Sequence, residues 1–305
     1  MANKNLKGTH YQGPLLGNAD ARGGLFADVP LAAVEAVRSP YQIHVEDFRY
    51  PFADGNLAVT GWTETAIDTP DTPLETMDAD AGFLVIDPGD GNDDGSQFQY
   101  KAAPTGPGSE TPNLDILGPM TSTATLMDNR EMLYETRVGF ASETTTWQAK
   151  AIMGWITDDT TLLDPATTGL PTIAAGGGTG FNVAEDGTLG CFSTNAAVTS
   201  CTDTGYNVLT DVAAASTGAY VWYTLGFRTR WVDASAGTGH TTFYVNGKKT
   251  NTITDTMPMD STEPYSITYG VLNGPAGFGV LMGIDYLISG VTRPGFTWPY
   301  TSTAW

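Results

Sequence analysis

The sequence predicts a mostly-β protein, an antiparallel two-sheet jelly roll or β-sandwich with an extended N-terminal arm. The 305 residues include 45 threonines, 36 glycines and 18 prolines, so residues that favour extended backbone alternate with residues that favour turns. About ten segments alternate apolar and polar side chains at the spacing of a β-strand. No segment keeps helical spacing for long enough to connect parallel strands, which favours antiparallel pairing.

The first eighty residues predict an arm, a helix, a strand and a connection. Residues 1–24 are Gly-rich and aperiodic, as in an extended arm. Residues 28–39 predict a short helix, with Pro30 near its first turn. Tyr41–Phe48 alternates as a strand does. Residues 60–80 mix Pro, Thr and acidic side chains, which predicts a long connection or an irregular edge.

Strands then follow in a regular series. They are predicted at Phe83–Ile86, Phe98–Tyr100, Met132–Phe140, Gln148–Ile156, Leu189–Phe192, Tyr220–Val232, Thr241–Val245, Lys248–Ile253, Tyr265–Leu272 and Gly279–Ile288. Asn246-Gly247 predicts a two-residue hairpin turn, because both residues tolerate positive φ. The glycines at 176–180 predict a flexible loop and not a phosphate loop, since the Lys of that motif is absent. We therefore divide the chain into an arm (1–50), a sandwich (51–292) and an aromatic, docked tail (293–305).

The charge excludes several classes of function. There are 14 Lys and Arg against 34 Asp and Glu, a net charge of -20, which argues against binding nucleic acid or an anionic membrane. No apolar run is long enough to cross a bilayer, and the N-terminus lacks the apolar stretch of a secretory signal. Residues 1–50 hold five basic and five acidic side chains, whereas the body is strongly acidic. We expect the neutral segment to face another protein.

The candidate sites for a metal or for catalysis are weak. Asp90, Asn92 and Asp94 begin like a calcium loop, but the twelfth position is Lys101 and not Glu. We interpret the segment as a solvated turn, with weak calcium binding as the alternative, and we expect no cofactor. No three acids are spaced as in the jelly-roll glycosidases, and His10, His44 and His240 lie in no catalytic context. We therefore expect no enzymatic activity, although a triad assembled by the fold stays open.

The remaining candidate residues are cysteines, tryptophans and arginines. Cys191 and Cys201 can form a disulfide in an oxidising compartment, but free buried thiols are favoured. Trp62, Trp147 and Trp155 can stack on sugars, although aromatic residues of a sandwich more often belong to its core. Arg228 and Arg230 share the polar face of one strand. They can pair with acids across a subunit interface, which we favour, or lie on a solvated sheet.

Four segments carry a resemblance to a known family. They are FLVIDPGDGNDDGSQFQ (83–99), LYETRVGFAS (133–142), QAKAIMGWITDDTTLLD (148–164) and VWYTLGFRTRW with TTFYVNGKKTNTI (221–253). The span from Phe83 to Tyr286 resembles the concanavalin-A-like lectin/glucanase jelly roll of tailed-bacteriophage structural proteins.

This resemblance implies a capsid decoration, or cement, protein on the outer surface of a phage head. Its partners would be the major capsid protein and two further copies in a homotrimer, with assembly in the host cytoplasm. The arm would anchor it, and the candidate anchor residues are Leu15, Leu16, Leu25, Phe26 and Leu31. The alternative is a glycan-binding module on a phage fibre or head that recognises a host surface glycan through the concave sheet.

Overall fold

The structure, a computed structural model, describes residues 41–46, 62–67, 74–78, 83–88, 94–100, 131–142, 149–157, 162–163, 177–195, 198, 200–215, 218–233, 238–254, 265–274 and 280–292. The strands in these ranges are β1 (Tyr41–Glu46), β2 (Trp62–Ile67), β3 (Leu74–Asp78), β4 (Phe83–Asp87), β5 (Gly95–Tyr100), β6 (Glu131–Ser142), β7 (Lys150–Thr157), β8 (Gly178–Val183), β9 (Thr188–Thr194), β10 (Thr202–Asn207), β11 (Val221–Asp233), β12 (Thr238–Val245), β13 (Lys248–Thr254), β14 (Tyr265–Leu272) and β15 (Val280–Thr292). A short helix, α1 (Val208–Ala214), lies between β10 and β11.

The strands form two antiparallel sheets. The eight-stranded sheet has the order β13-β12-β11-β6-β15-β4-β3, and β1 pairs with the later part of β15. The seven-stranded sheet has the order β10-β9-β8-β7-β14-β5-β2. The prediction of an antiparallel two-sheet sandwich is confirmed. The predicted arm and helix before residue 40 and the tail after residue 292 lie outside the described residues.

The core lies between the sheets and consists of side chains that alternate inward from both. The indole N–H of Trp155 on β7 donates to the Ser289 hydroxyl on β15 over 2.9 Å. Phe181 on β8 meets Phe243 on β12 edge to face, with ring centroids 5.4 Å apart. Large aromatic side chains thus fill the layer, and the Trp155 indole is also hydrogen-bonded across it.

Residues 60–80 contain two strands. β2 pairs with β5, and β3 pairs with β4. Each of them ends the strand order of its sheet, so of the two alternatives for this segment the irregular edge is correct. Edge strands bond to one neighbour and tolerate the charged residues that obscured the alternation here.

The predicted flexible loop at 176–180 is wrong, because Gly178 to Gly180 belong to β8 and pair with β7 and β9. Gly154 of β7 has φ +149, and a Cβ placed on it would lie 2.4 Å from the carbonyl oxygen of Thr179. The glycines therefore permit a close approach of two strands, which composition cannot distinguish from a loop.

The sequence also gave no indication of β10 and α1. Asn207 caps the helix, its side-chain oxygen accepting the Thr210 N–H over 2.8 Å. The helix buries Val208 and Val212 and is only seven residues long, too short for its spacing to stand out. No helix in the described ranges has the length and apolar character that crossing a membrane would need.

Candidate functional site

A pocket of about 250 Å³ opens on the outer face of the eight-stranded sheet, the face turned away from the core. Four adjacent strands, β6, β11, β12 and β13, contribute its lining. The lining residues are Glu131, Arg228, Arg230, His240, Thr242, Tyr244, Lys249 and Thr252. Nearly every lining side chain can donate or accept a hydrogen bond, so the pocket is built for a polar ligand.

The strand register explains why these side chains meet. Arg228 lies opposite Thr242, and Arg230 lies opposite His240 on one side and Glu131 on the other. Thr242 in turn faces Thr252 on β13. Because alternate residues of a strand point to opposite faces, the residues between these positions point into the core, and the pocket residues share the outer face.

The two central strands of the pocket are held together from the core side. The hydroxyl oxygens of Thr229 on β11 and Thr241 on β12 lie 3.0 Å apart, and both side chains are buried. The Ser193 hydroxyl of the opposite sheet is 3.1 Å from that of Thr241. These hydrogen bonds fix β11 against β12 directly behind the pocket, so the lining is supported by rigid elements.

A hairpin turn and a bulge position the remaining wall. Asn246 and Gly247 have φ of 51° and 73°, the turn that the sequence predicted. The Thr224 N–H of β11 donates to the Asn246 side-chain oxygen over 2.9 Å. The register shifts between Phe243 and Tyr244 so that Tyr244 pairs with Lys249. Because this bulge skips one residue, Lys249 joins Thr252 on the pocket face.

An ion pair closes one side of the pocket. The Arg228 guanidinium donates to both carboxylate oxygens of Glu131, at 2.9 and 3.0 Å. Glu131 is only 2% exposed, whereas the Arg228 side chain is 20% exposed. Burial makes this pair matter for stability, because a buried carboxylate without its partner is costly.

Arg230 lies beside Arg228 and differs in its partners. The Nε of each is buried without a hydrogen-bond partner in the part of the chain that the structure describes, but the Nη2 atom of Arg228 donates to Glu131. Arg230 is half-buried on the pocket wall. Arg230 therefore brings a second guanidinium to the pocket wall, where a ligand can contact it.

The pocket gathers the positive charge of an acidic chain. Residues 151–292 contain twelve Asp and Glu but only four Lys and Arg, namely Arg228, Arg230, Lys248 and Lys249. Three of these four line the pocket, and Glu131 is the one carboxylate residue in its lining. The pocket lining therefore carries a net charge of +2 with His240 neutral.

The same face of the sheet carries an aromatic cluster formed by Phe83, Tyr220 and Trp222. Trp222 packs edge to face on Phe83, with centroids 5.0 Å apart, and stacks with Tyr220 at 5.6 Å. The Arg137 guanidinium lies over the Trp222 ring at 4.8 Å and pairs with Asp285 at 2.7 Å. Tyr220 and Trp222 are half-buried, so part of the cluster faces outward.

The outer face of the seven-stranded sheet is different, because many of its described side chains are buried, among them the polar Gln99, Ser266 and Thr268, which are hydrogen-bonded to one another. A second hydrophobic cluster there consists of Ile152, Ile156, Leu162, Leu163, Phe192 and Leu272, all buried. Leu163 fills the space above Gly270, where a Cβ would lie 2.9 Å from its Cδ1 atom. Among the described residues, this part of the seven-stranded sheet is therefore apolar and buried.

Of the three tryptophans that could stack on sugars, the structure describes two, and both have the core position that we expected of aromatic residues in a sandwich. Trp62 and Trp155 are each 2% exposed and belong to the core between the sheets, and Trp147 lies outside the described residues. Both strands place these indoles on their inward face, where the core gains most from a large ring. For Trp62 and Trp155, the interpretation as core residues is therefore confirmed.

Other predicted site residues have mixed outcomes. Leu15, Leu16, Leu25, Phe26 and Leu31, the predicted anchors, lie outside the described residues, as do Asp90 and Asn92. The backbone carbonyl of Asp94 accepts the Asn273 N–H over 2.8 Å. The described ranges hold no group of three metal-ligating side chains. Cys191 and Cys201 are free thiols, one buried and one half-buried.

The predicted interface arginines are both in the pocket. Arg228 pairs within its own chain, and the prediction that Arg228 and Arg230 contact another subunit remains untested. The other six lining residues were missed as site residues. The alternation of β12 would have placed His240, Thr242 and Tyr244 on one face, but their meeting with the arginines required the register between β11 and β12.

The chain matches no protein-family model and, at a significant level, no curated protein. Solved structures with a similar fold include the carbohydrate recognition domain of Emp47p, at 10% identity and TM-score 0.43 over 77% of this chain and 89% of that chain. Peanut lectin with a nine-residue peptide has 14% identity and TM-score 0.45, covering 83% of this chain and 97% of that chain. Lectin UEA-II complexed with galactose has 10% identity and TM-score 0.49, covering 82% and 98%. These identities are too low to transfer a ligand or a residue's role.

Proposed function

We propose that this protein is a non-enzymatic carbohydrate-binding protein, and that the sugar lies in the pocket on the outer face of the eight-stranded sheet. The observation that carries the proposal is the convergence of donors, acceptors and one aromatic ring from four paired strands on a single pocket. Sugars present many hydroxyl groups, which need such mixed donors and acceptors.

The lining offers complementary chemistry for a sugar. Thr242 and Thr252 face each other across β12 and β13, and each hydroxyl can both donate and accept. Tyr244 adds an aromatic ring with a polar tip beside them, the combination that suits a ring with an apolar face and hydroxyl edges. The aromatic cluster of Phe83, Tyr220 and Trp222 extends this surface along β11.

The arrangement of carboxylates does not favour hydrolysis of the bound sugar. Glu131 and Glu135 point to the same face of β6, but four residues of a strand separate them by about 13 Å. Glycosidases hold their two carboxyl groups roughly 5–10 Å apart. Glu131 is also engaged by Arg228, and Glu135 accepts the Tyr286 hydroxyl over 3.1 Å. Binding without turnover is the better fit.

The capsid-decoration interpretation stays a prediction. Its anchor residues belong to residues 1–50, and it has a separate test, because deleting residues 1–40 should abolish binding to phage heads. Carbohydrate binding does not depend on that result, since a glycan-binding protein can also belong to a virion surface. The location on a virion, the major capsid protein as partner and the homotrimer are likewise predictions.

The test of the proposal is a glycan array probed with the full chain and with Thr242→Trp. The indole would fill the pocket from its outer face without replacing a core residue, so binding should fall at least about tenfold. Ala213→Trp is the control, because it adds the same indole at an exposed position of α1, outside the pocket lining. Equal binding by wild type and Thr242→Trp would rule this pocket out.

A further inference from the structure

The net positive charge of the pocket indicates which class of sugar it binds. Arg228, Arg230 and Lys249 line it against the single carboxylate of Glu131, and His240 adds a fourth nitrogen donor. A neutral sugar needs none of this charge. Residues 151–292 contain four Lys and Arg, and three of them line the pocket. The remainder of this span holds one basic residue and twelve acidic ones.

We infer that the pocket selects sugars that carry a carboxylate, as uronic and sialic acids do; this inference rests on the proposed function. Arg230 would bind the carboxylate, and Lys249 would add a second positive charge from β13. Thr242 and Thr252 would bind the hydroxyl groups of the same ring.

The pocket already holds one carboxylate bound to a guanidinium, that of Glu131. The Nη2 atom of Arg228 donates to both carboxylate oxygens of Glu131, a charge-assisted contact of the kind that guanidinium groups favour with carboxylates. Arg230 lies two residues further along the same face of β11 and lines the pocket, and it is half-buried. A ligand carboxylate would give Arg230 the acceptor that Glu131 gives Arg228.

The charge of the whole molecule limits the ligand to a small number of negative charges. The chain has a net charge of -20, so a polyanion such as a nucleic acid or a heavily sulfated chain would meet repulsion beyond the pocket. Within the pocket, at contact distance, the local cations outweigh this repulsion because solvent screens distant charges. A sugar with one carboxylate fits both conditions.

The experiment compares matched pairs of oligosaccharides on the full chain by titration calorimetry. Each uronic-acid oligosaccharide is measured beside the neutral sugar that has a hydroxymethyl group in place of the carboxylate. The wild type should bind the acidic member at least about tenfold more tightly, the size expected of a charged hydrogen bond. Raising the salt concentration should reduce this preference.

Lys249→Gln and Arg230→Gln should each reduce that preference to less than about threefold while binding of the neutral sugar persists. Lys248→Gln is the matched control, because it removes the same charge from an exposed residue that does not line the pocket. The control should keep the full preference.

The outcomes separate the inference from the proposed function. Equal binding of acidic and neutral sugars overturns the carboxylate preference and leaves carbohydrate binding intact. Sulfated sugars that bind as tightly as carboxylated ones also overturn it. If no sugar binds at all, the proposed function fails and this inference fails with it.

Discussion

At the scale of single residues, the ion pair of Arg228 and Glu131 links stability to the pocket. Replacing Arg228 by Met would leave a carboxylate that is 2% exposed without the guanidinium that holds it. We expect the free energy of unfolding to fall by roughly 2–4 kcal/mol, near the lower end of the buried-pair range because Arg228 is itself 20% exposed. Urea denaturation measures this.

The double variant Arg228→Met with Glu131→Leu should recover part of that loss, because the isolated charge is then gone. The control Lys248→Met removes an exposed charge and should change little. A loss in the control as large as that in Arg228→Met would show that general charge, and not the pair, is responsible.

The two thiols predict how stability depends on alkaline pH. Burial raises the pKa of Cys191 and of Cys201 to about 12, from an ordinary value near 9. As the pH rises, the thiols of the unfolded chain therefore lose their protons before those of the folded chain do. The free energy of unfolding is highest below pH 9 in respect of these thiols and decreases as the pH rises towards 12. Cys201→Ala should flatten the fall in unfolding free energy between pH 9 and 11, measured by urea denaturation at each pH.

The same thiols should react slowly with iodoacetamide in the folded protein at pH 9, since the thiolate is the reactive form. Mass spectrometry of native and urea-unfolded samples gives the comparison. Rapid alkylation of both thiols in the native sample would contradict the raised pKa values.

The candidate site shows what single residues could and could not reveal. Arg228 and Arg230 were recognised as a shared polar face because alternation along one strand is visible in the sequence. Lys249 could not be assigned to this face, because a bulge after Phe243 places it there and no local sequence pattern predicts that bulge. Trp62 and Trp155 are ambiguous in the sequence, since a tryptophan on a strand suits a core as well as a sugar site.

At the scale of elements, the β12–β13 hairpin contributes five of the eight lining residues of the pocket, and the conformation of its turn positions them. Gly247 has φ +73, so Gly247→Ala should cost about 1 kcal/mol of unfolding free energy and weaken sugar binding by displacing Tyr244 and Lys249. Thermal denaturation and calorimetry measure the two effects.

Gly247→Asn is the matched control, since asparagine tolerates positive φ better than alanine. It should retain most of the stability and affinity. Equal losses of stability and affinity in the Ala and Asn variants would contradict this. They would mean that the turn does not tolerate any side chain at residue 247, whatever backbone conformation that residue prefers.

The apolar cover of the seven-stranded sheet makes a second prediction at this scale. Leu163 is 5% exposed and packs on Gly270, so Leu163→Ala should lower the unfolding free energy by about 2–4 kcal/mol through lost burial and a cavity. Sugar binding should be unchanged, because the pocket lies on the other sheet. A fall in affinity without a fall in stability would contradict this separation of the two faces.

Strands with clean alternation could be predicted from the sequence, and strands at edges or with glycine could not. Tyr265–Leu272 and the Asn246-Gly247 hairpin appear where the pattern places them. β2 and β3 were obscured by Thr, Pro and acids, and β8 by glycines that allow close approach to β7. In each case tertiary pairing, which leaves no local signal, decides the structure.

At the scale of the whole molecule, the two sheets have different outer faces. The eight-stranded sheet has a polar, net-positive pocket on its outer face. Many described side chains on the outer face of the seven-stranded sheet, both apolar and polar, are buried. The sequence could predict two sheets but not which strands neighbour each other, because β6 pairs with β15 about 150 residues away and with β11 about 100 residues away. The pairing of β6 with β11 is what brings Glu131 beside Arg228 and Arg230.

The most direct test of carbohydrate binding at this pocket is chemical-shift mapping of the backbone amides while a bound oligosaccharide from the array is titrated. The largest shifts should fall on residues 228–230 of β11, 240–244 of β12 and 249–252 of β13, and Thr242→Trp should abolish them. Shifts confined to the seven-stranded sheet, or spread evenly over the molecule, would contradict the account.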